Sequence, residues 1–230
     1  MMLIQRKDID MAKRTLKEIL LRIVILFVGL TIAHLGVTLF LLADLGADPF
    51  NVLIQGLFRT AQHITGWTLL THGRVHMAIC FLIILVLLIA DRSYIKIGTI
   101  LCMVCGGPII DFFTLLLGGL IHSGNPFAVR ILVLAAGCGI LAFGMTIVMK
   151  SDSGVGPNDL VAIVISDKLH RPFSVIRIVV DVCFVAAGFF MGGAVGIGTI
   201  ICAALVGPVA GIFLPRSEKM VDRVIKAVMK

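Results

Sequence analysis

Six apolar stretches, at 21–42, 74–90, 95–117, 131–149, 173–190 and 195–214, each run for about 20 residues with almost no charge. A helix rises about 1.5 Å per residue, so each stretch is long enough for roughly 30 Å of hydrocarbon. A water-soluble core of this size would break such runs with polar positions. Composition closes off that alternative, because 59% of the 230 residues are hydrophobic and only 14% are charged. Soluble domains carry about 25% charged residues, and the mean hydropathy is +1.11. The expected fold class is therefore all-α, a polytopic helical membrane protein whose first partner is the lipid bilayer.

The net charge of +7 sits mostly at the ends. Arg6, Lys7, Lys13, Arg14, Lys17 and Arg22 precede or open the first run, and Arg216, Lys219, Arg223, Lys226 and Lys230 follow the last. Basic flanks stay on the cytoplasmic side, so both termini are expected there and the number of crossings should be even. Basic residues that bracket apolar spans do not form one nucleic-acid-binding patch, so no nucleic-acid partner is expected. The first run is longer than a signal-peptide core and lacks a small-x-small cleavage site, so it reads as a retained helix. Residues 1–20 and 215–230 read as amphipathic segments on the inner leaflet. Met220, Val221, Val224, Ile225 and Val228 share one face of the second.

Between these segments the sequence repeats itself. LGVTLFLLADLGADPFN at 35–51 aligns with FGMTIVMKSDSGVGPND at 143–159, an offset of 108. The offset matches Gly36 with Gly144, Thr38 with Thr146, Asp44 with Asp152, Gly46 with Gly154 and Pro49 with Pro157, and sets Asn51 opposite Asp159. IGTILCMVCGGPIIDFF at 97–113 matches IGTIICAALVGPVAGIF at 197–213 at an offset of 100. Two matched tracts in the same order divide the chain into transmembrane repeats at 21–119 and 130–214.

Each repeat contains a short helix after a Gly-Pro turn, about 48–63 in the first and 158–169 in the second. At about 1.5 Å per residue such helices reach only ~18–24 Å, short of a crossing. They are expected to be re-entrant or half-spanning, which leaves six full spans and two halves of opposite orientation, an inverted repeat. If the short helices crossed, there would be eight spans in parallel repeats. Loop charge is split six to three in either case, so helix length decides for six.

The turns DLGADPFN and DSGVGPND are the candidate substrate site. Proline suits a first helical position and Asp48 suits an N-cap, so helix capping explains them in part. Paired, Gly/Pro-interrupted short segments at equivalent places are also the sequence pointer to a transporter's midplane site. Asp48, Pro49, Asn51, Pro157, Asn158 and Asp159 are the candidate substrate-binding residues. His34, Asp111 and Asp181 lie within spans, where ionisable groups are expensive and face a cavity or a partner. They are the candidates for ion or proton coupling, although Arg177 and Asp181 at i, i+4 read first as a structural pair. The six cysteines all fall in apolar runs, and the CxxC at Cys102 and Cys105 has no His or second CxxC to complete a metal site. They read as small packing residues. There is no nucleophile elbow, metal-spaced His/Glu cluster or phosphate loop, so neither enzyme activity, cofactor nor metal is expected.

LGADPFNVLIQGL, SGVGPNDLVAIVI and the two IGTI-x-C…GP tracts resemble the YczE/YyaS/YitT family of bacterial membrane proteins, nearest to its YczE branch, over roughly residues 20–215. The resemblance implies a multi-pass protein of the bacterial inner or plasma membrane. It implies no substrate and supplies no catalytic residues. The expected function is a small secondary-transporter-like protein for a small molecule or ion. The alternative is a non-transporting membrane component that supports another protein or pathway. Either is compatible with a homo-oligomer.

Overall fold

The computed structural model describes residues 14–67, 69–171 and 173–229, without the side chains at 173, 174, 204 and 207. Most of the amphipathic segment expected at 1–20 lies outside the described residues. Among those residues the chain is entirely helical and has no strand. The helices are α1 (Leu16–Ala43), α2 (Pro49–Thr65), α3 (His72–Asp91), α4 (Ile97–Leu117), α5 (Phe127–Ser151), α6 (Pro157–Leu169), α7 (Phe173–Phe190) and α8 (Ile197–Val228), with a 3-10 turn at Arg92–Tyr94.

Among the described residues, α1, α3, α4 and α5 are long and apolar enough to cross a membrane. α8 bends by 46° between Ala203 and Pro208, and counts as a fifth when its two parts are taken as one span. α7, expected as the sixth, is not in that set. It has 18 residues, with Arg177 and Asp181 inside it. Ile89, Leu115 and Phe190 are 84%, 87% and 85% exposed, a surface that only lipid would cover at so little cost.

The centre of the bundle is the α1–α5 pair. A Cβ on Gly36 would lie 2.5 Å from the backbone nitrogen of Leu141 and 2.7 Å from the Gly137 carbonyl. Further toward the start of α1, Gly29 meets Ile147, and Gly144 sits on Ala33. Numbers rise along α1 as they fall along α5, so the two helices are antiparallel. Small residues let the backbones approach, which is the main source of attraction between helices in lipid. Two buried clusters flank the seam. One holds Leu26, Leu30, Cys102 and Val148; the other holds Leu134, Cys138, Cys202, Phe40 and Ala43. At the sequence offsets of 108 and 100 each member of the first cluster corresponds to a member of the second, which adds Ala43.

The polar turns have the same construction. α1 ends at Asp44 and α5 at Asp152, both in the left-handed region, with φ of 49° and 55°. Gly46 and Gly154 follow with φ of 115° and 143°, a conformation that side chains other than glycine's rarely adopt. Each turn then seats on the partner tract of the other half. Gly198 N–H donates to the Leu45 carbonyl at 2.7 Å, and Gly98 N–H donates to the Ser153 carbonyl at 3.0 Å. A Cβ on Gly46 would lie 2.6 Å from Thr199 Oγ1, and one on Gly154 would lie 2.7 Å from Thr99 N.

The short helices return to the end of the bundle from which their turns depart. Arg59, late in α2, approaches Asp44 at 3.7 Å. At the other end, Asp152 faces Arg14 at 2.6 Å and Lys96 at 3.8 Å. The far end of α6 lies beside the same region, with Tyr94 Oη donating to Asp167 at 2.9 Å and Lys168 Nζ to the Ala90 carbonyl at 3.2 Å. α2 and α6 have 17 and 13 residues, about 25 and 20 Å, and neither is among the helices long and apolar enough to cross.

The C-terminal segment expected as an amphipathic stretch at 215–230 continues α8 without a break through Pro215. Ser217 and Val221 are buried. Ser217 Oγ bonds Thr146 Oγ1 at 2.7 Å, Glu218 pairs with Lys150 at 2.9 Å, and Lys17 Nζ donates to the Val228 carbonyl at 2.6 Å. The described beginning and end of the chain therefore share one end of the bundle.

Candidate functional site

Both short helices begin at a proline, with an acid at the cap or in the first turn. Asp48 N-caps α2 by accepting from Asn51 N–H at 3.3 Å, with Pro49 at the first helical position. α6 starts the same way, with Pro157 first, but its cap is Gly156, and Asp159 lies in the first turn. Asp48 Oδ2 also accepts from Asn51 Nδ2 at 2.8 Å, and Asn51 Oδ1 lies 3.0 Å from His72 Nε2 at the start of α3. With the Asn51 amide nitrogen directed at Asp48, its oxygen faces His72, so His72 Nε2 carries the hydrogen. Asn51 is 4% exposed.

The second cluster centres on Arg177 in α7. Its Nη1 bonds Asp159 of α6, and its Nε donates to Asp181 at 2.9 Å. Asn158 Nδ2 adds a 3.2 Å bond to Asp159. The clusters join through charge, because Asp48 lies within electrostatic reach of both Arg177 and Asp181.

Asp159 and Asp181 meet on Arg177, and Asp48 and Asn51 meet at the start of α2, with Pro49 and Pro157 at the first helical positions and Asn158 beside Asp159. The outer ends of the turns do not meet, because Asp44 and Asp152 close opposite ends of the antiparallel pair. The other two coupling candidates stand apart from this cluster. Asp111 accepts from Thr71 Oγ1 at 2.6 Å and from Gly73 N–H at 3.0 Å, so both its oxygens serve the N-terminus of α3. His34 Nδ1 bonds the Leu30 carbonyl at 2.9 Å, its ring lies 5.6 Å from that of His76, and Phe50 packs against the far side of His76 at 5.4 Å.

Arg177 as the hub, and His72 as the partner of Asn51, escape a reading of the sequence. The available signals were weak. Arg177 was visible only as the i, i+4 partner of Asp181, and His72 sits just outside an apolar run. Two cavities open on the surface, and these residues line neither. One, of about 530 Å³, is an apolar groove between α3 and α6 lined by Val86, Leu87, Val164 and Ile165 among others. The other, of about 430 Å³, lies at the Gly66–Arg74 connection.

A helical bundle with lipid-facing apolar surface and an ion-paired interior is a membrane protein. Comparison with known proteins gives the family. Residues 20–215 match a family of unknown function, DUF6198, and the chain belongs to it. It is 30% identical to the uncharacterized membrane protein YczE of Bacillus subtilis (strain 168), over 90% of this chain and 91% of that one. An uncharacterized protein of Haemophilus influenzae is 26% identical over 83% of this chain and 82% of its own length. The uncharacterized protein YyaS of Bacillus subtilis is 25% identical, over 84% and 92%. No solved structure matches the chain.

Proposed function

We propose that the chain is a small secondary-transporter-like carrier of the bacterial cell membrane, built from two inverted repeats, with its solute site where α2 and α6 begin. The observation that carries this reading is a polar cluster at each of two helix breaks that the fold could otherwise omit, Asp48 with Asn51 and His72 at one and Asp159 with Asp181 on Arg177 at the other. Unpaired backbone groups in lipid cost several kcal/mol each, so breaks kept at matched positions argue for a use. The antiparallel seam of α1 and α5 supports inversion. Equivalent helices that run oppositely are related by an axis across them, which lies in the membrane plane when they span it. Both termini then face the cytoplasm, by the excess of basic residues on them.

The test is solute uptake and efflux profiling of cells with and without the gene, repeated with Asn51→Ala and Asp159→Ala. Both variants should insert normally and lose the solute phenotype. Normal profiles from two well-folded variants would remove the site. One observation suits the non-transporting alternative: the cavities between α3 and α6 and at the Gly66–Arg74 connection are lined by other residues than the polar cluster. A component that supports another protein needs no hydrated path, and in that case deleting the gene changes no solute.

A further inference from the structure

The apolar groove between α3 and α6 has a cationic rim. Its walls come from positions 82–90 of α3 and 161–169 of α6, about 12 Å of helix each. Lys168 Nζ donates to the Ala90 carbonyl at 3.2 Å, so the two walls reach the rim together. Lys168 is the one polar residue among those lining the groove. An ammonium has three hydrogens to give, and a neutral carbonyl takes one without cancelling the charge. Exposed Arg92 follows α3 at this rim, and exposed Arg171 follows α6. The two acids nearby are engaged. Asp167 accepts from Tyr94, and Asp91, within electrostatic reach of Lys168, accepts twice from Ser93. Among the described residues, no carboxylate pairs with Lys168 within 4.0 Å.

The matched contact between the halves, α2 against α7, is closed instead. At offsets of 108 and 100, Gly56 of α2 corresponds to Val164 and Gly188 of α7 to Leu88. A Cβ on Gly56 would strike the Gly188 carbonyl. Arg59 and Thr60 bond the Gly192 and Met191 carbonyls, and Gln55 accepts from Ala194 N–H. Glycines thus bring those two backbones together, whereas Val164 packs on Leu87 and keeps α3 and α6 apart. Of the two matched contacts, the open one lies at the end of the bundle that also holds Arg14, Lys17 and Lys96. Anionic lipid headgroups are attracted to such an end. The groove opens sideways past Val86, which is 56% exposed.

We propose that the α3–α6 groove holds an acyl chain of one anionic phospholipid, with its phosphate on Lys168 and with Arg92 and Arg171 beside it. The chain would run from the rim toward the middle of the bilayer along the apolar walls. This site stands whether or not the protein carries a solute.

Native mass spectrometry of the full chain in detergent tests it, with phosphatidylglycerol and phosphatidylcholine of identical acyl chains added in equal amounts. The phosphatidylglycerol adduct should exceed the phosphatidylcholine adduct by about fivefold or more, the effect of one cation near an anionic headgroup. Lys168→Ala should bring the two toward parity, and Lys168→Arg should keep the preference. Val86→Trp, which fills the groove from its exposed wall, should remove the bound lipid, while Leu116→Trp on the exposed face of α4 should leave it. Equal retention of the two lipids by the wild type overturns the proposal, and this result needs no variant to fold. So does a preference that survives Lys168→Ala, or one lost in Lys219→Ala/Arg223→Ala instead. Displacement of the lipid by inorganic phosphate would reveal an anion site without a tail, and would overturn it equally.

Discussion

Asp111 looks like a coupling residue until its neighbours are known. It is an acid in an apolar helix, yet both its oxygens accept hydrogen bonds from the start of α3. An acid at a helix N-terminus also meets the positive end of the helix dipole. Asp111→Ala should therefore lower stability by on the order of 2 kcal/mol, read as thermal unfolding in detergent, with no loss of the solute phenotype while the protein stays folded. Asp111→Asn keeps one acceptor and should cost about half as much. An undiminished melting temperature for the alanine variant would show that the cap is idle. The same scale explains why part of the site was hidden. Asp48, Asn51, Asp159 and Asp181 were legible because each lies in a turn or a span where a polar residue is conspicuous. The bond from Arg177 to Asp159 spans 18 positions and two helices, and that from His72 to Asn51 spans 21. No local periodicity encodes either.

At the scale of elements, the short helices α2 and α6 were legible from the Gly-Pro turns that open them, and their re-entrance is proposed from a reach of about 20 to 25 Å. The ion pairs at the helix ends give it a measurable signature. In a cysteine-free background, Ile64→Cys, at a position 76% exposed, should react with a membrane-impermeant thiol reagent from the side opposite to Leu16→Cys. Ser93→Cys should react from the same side as Leu16→Cys. Labelling of positions 16 and 64 from one side would mean that α2 crosses, and the eight-span arrangement would replace this one. The fate of the C-terminal segment was not legible. Its apolar stripe of Met220, Val221, Val224, Ile225 and Val228 suits an inner leaflet as well as a protein surface. Only the tertiary partners of Ser217 and Glu218 show that it extends α8 along the bundle.

At the scale of the molecule, stability should concentrate where α1 and α5 cross. Gly36→Ala would place a methyl 2.5 Å from the Leu141 backbone, and neither backbone can move without parting the seam. The expected loss is about 1 to 3 kcal/mol, seen as reduced monodispersity and a lower unfolding temperature. Gly139→Ala, on the partner helix α5 with nothing within 4 Å, should be neutral or gain up to ~1 kcal/mol from helix propensity. Equal effects of the two substitutions would mean that the crossing does not hold the halves together.

The seating of each turn on the opposite half also sets an order of assembly. The carbonyl of Leu45 enters the membrane early in synthesis, but its donor, the Gly198 amide, is made 153 residues later. At roughly 5 to 20 residues per second, the nascent first half waits about 8 to 30 seconds for the group that closes its turn. The reciprocal bond, from Gly98 to Ser153, closes as soon as the second turn is made. Biogenesis should therefore proceed through an intermediate with one turn satisfied and the other open, and a ribosome stalled before α8 would leave that intermediate exposed to membrane proteases.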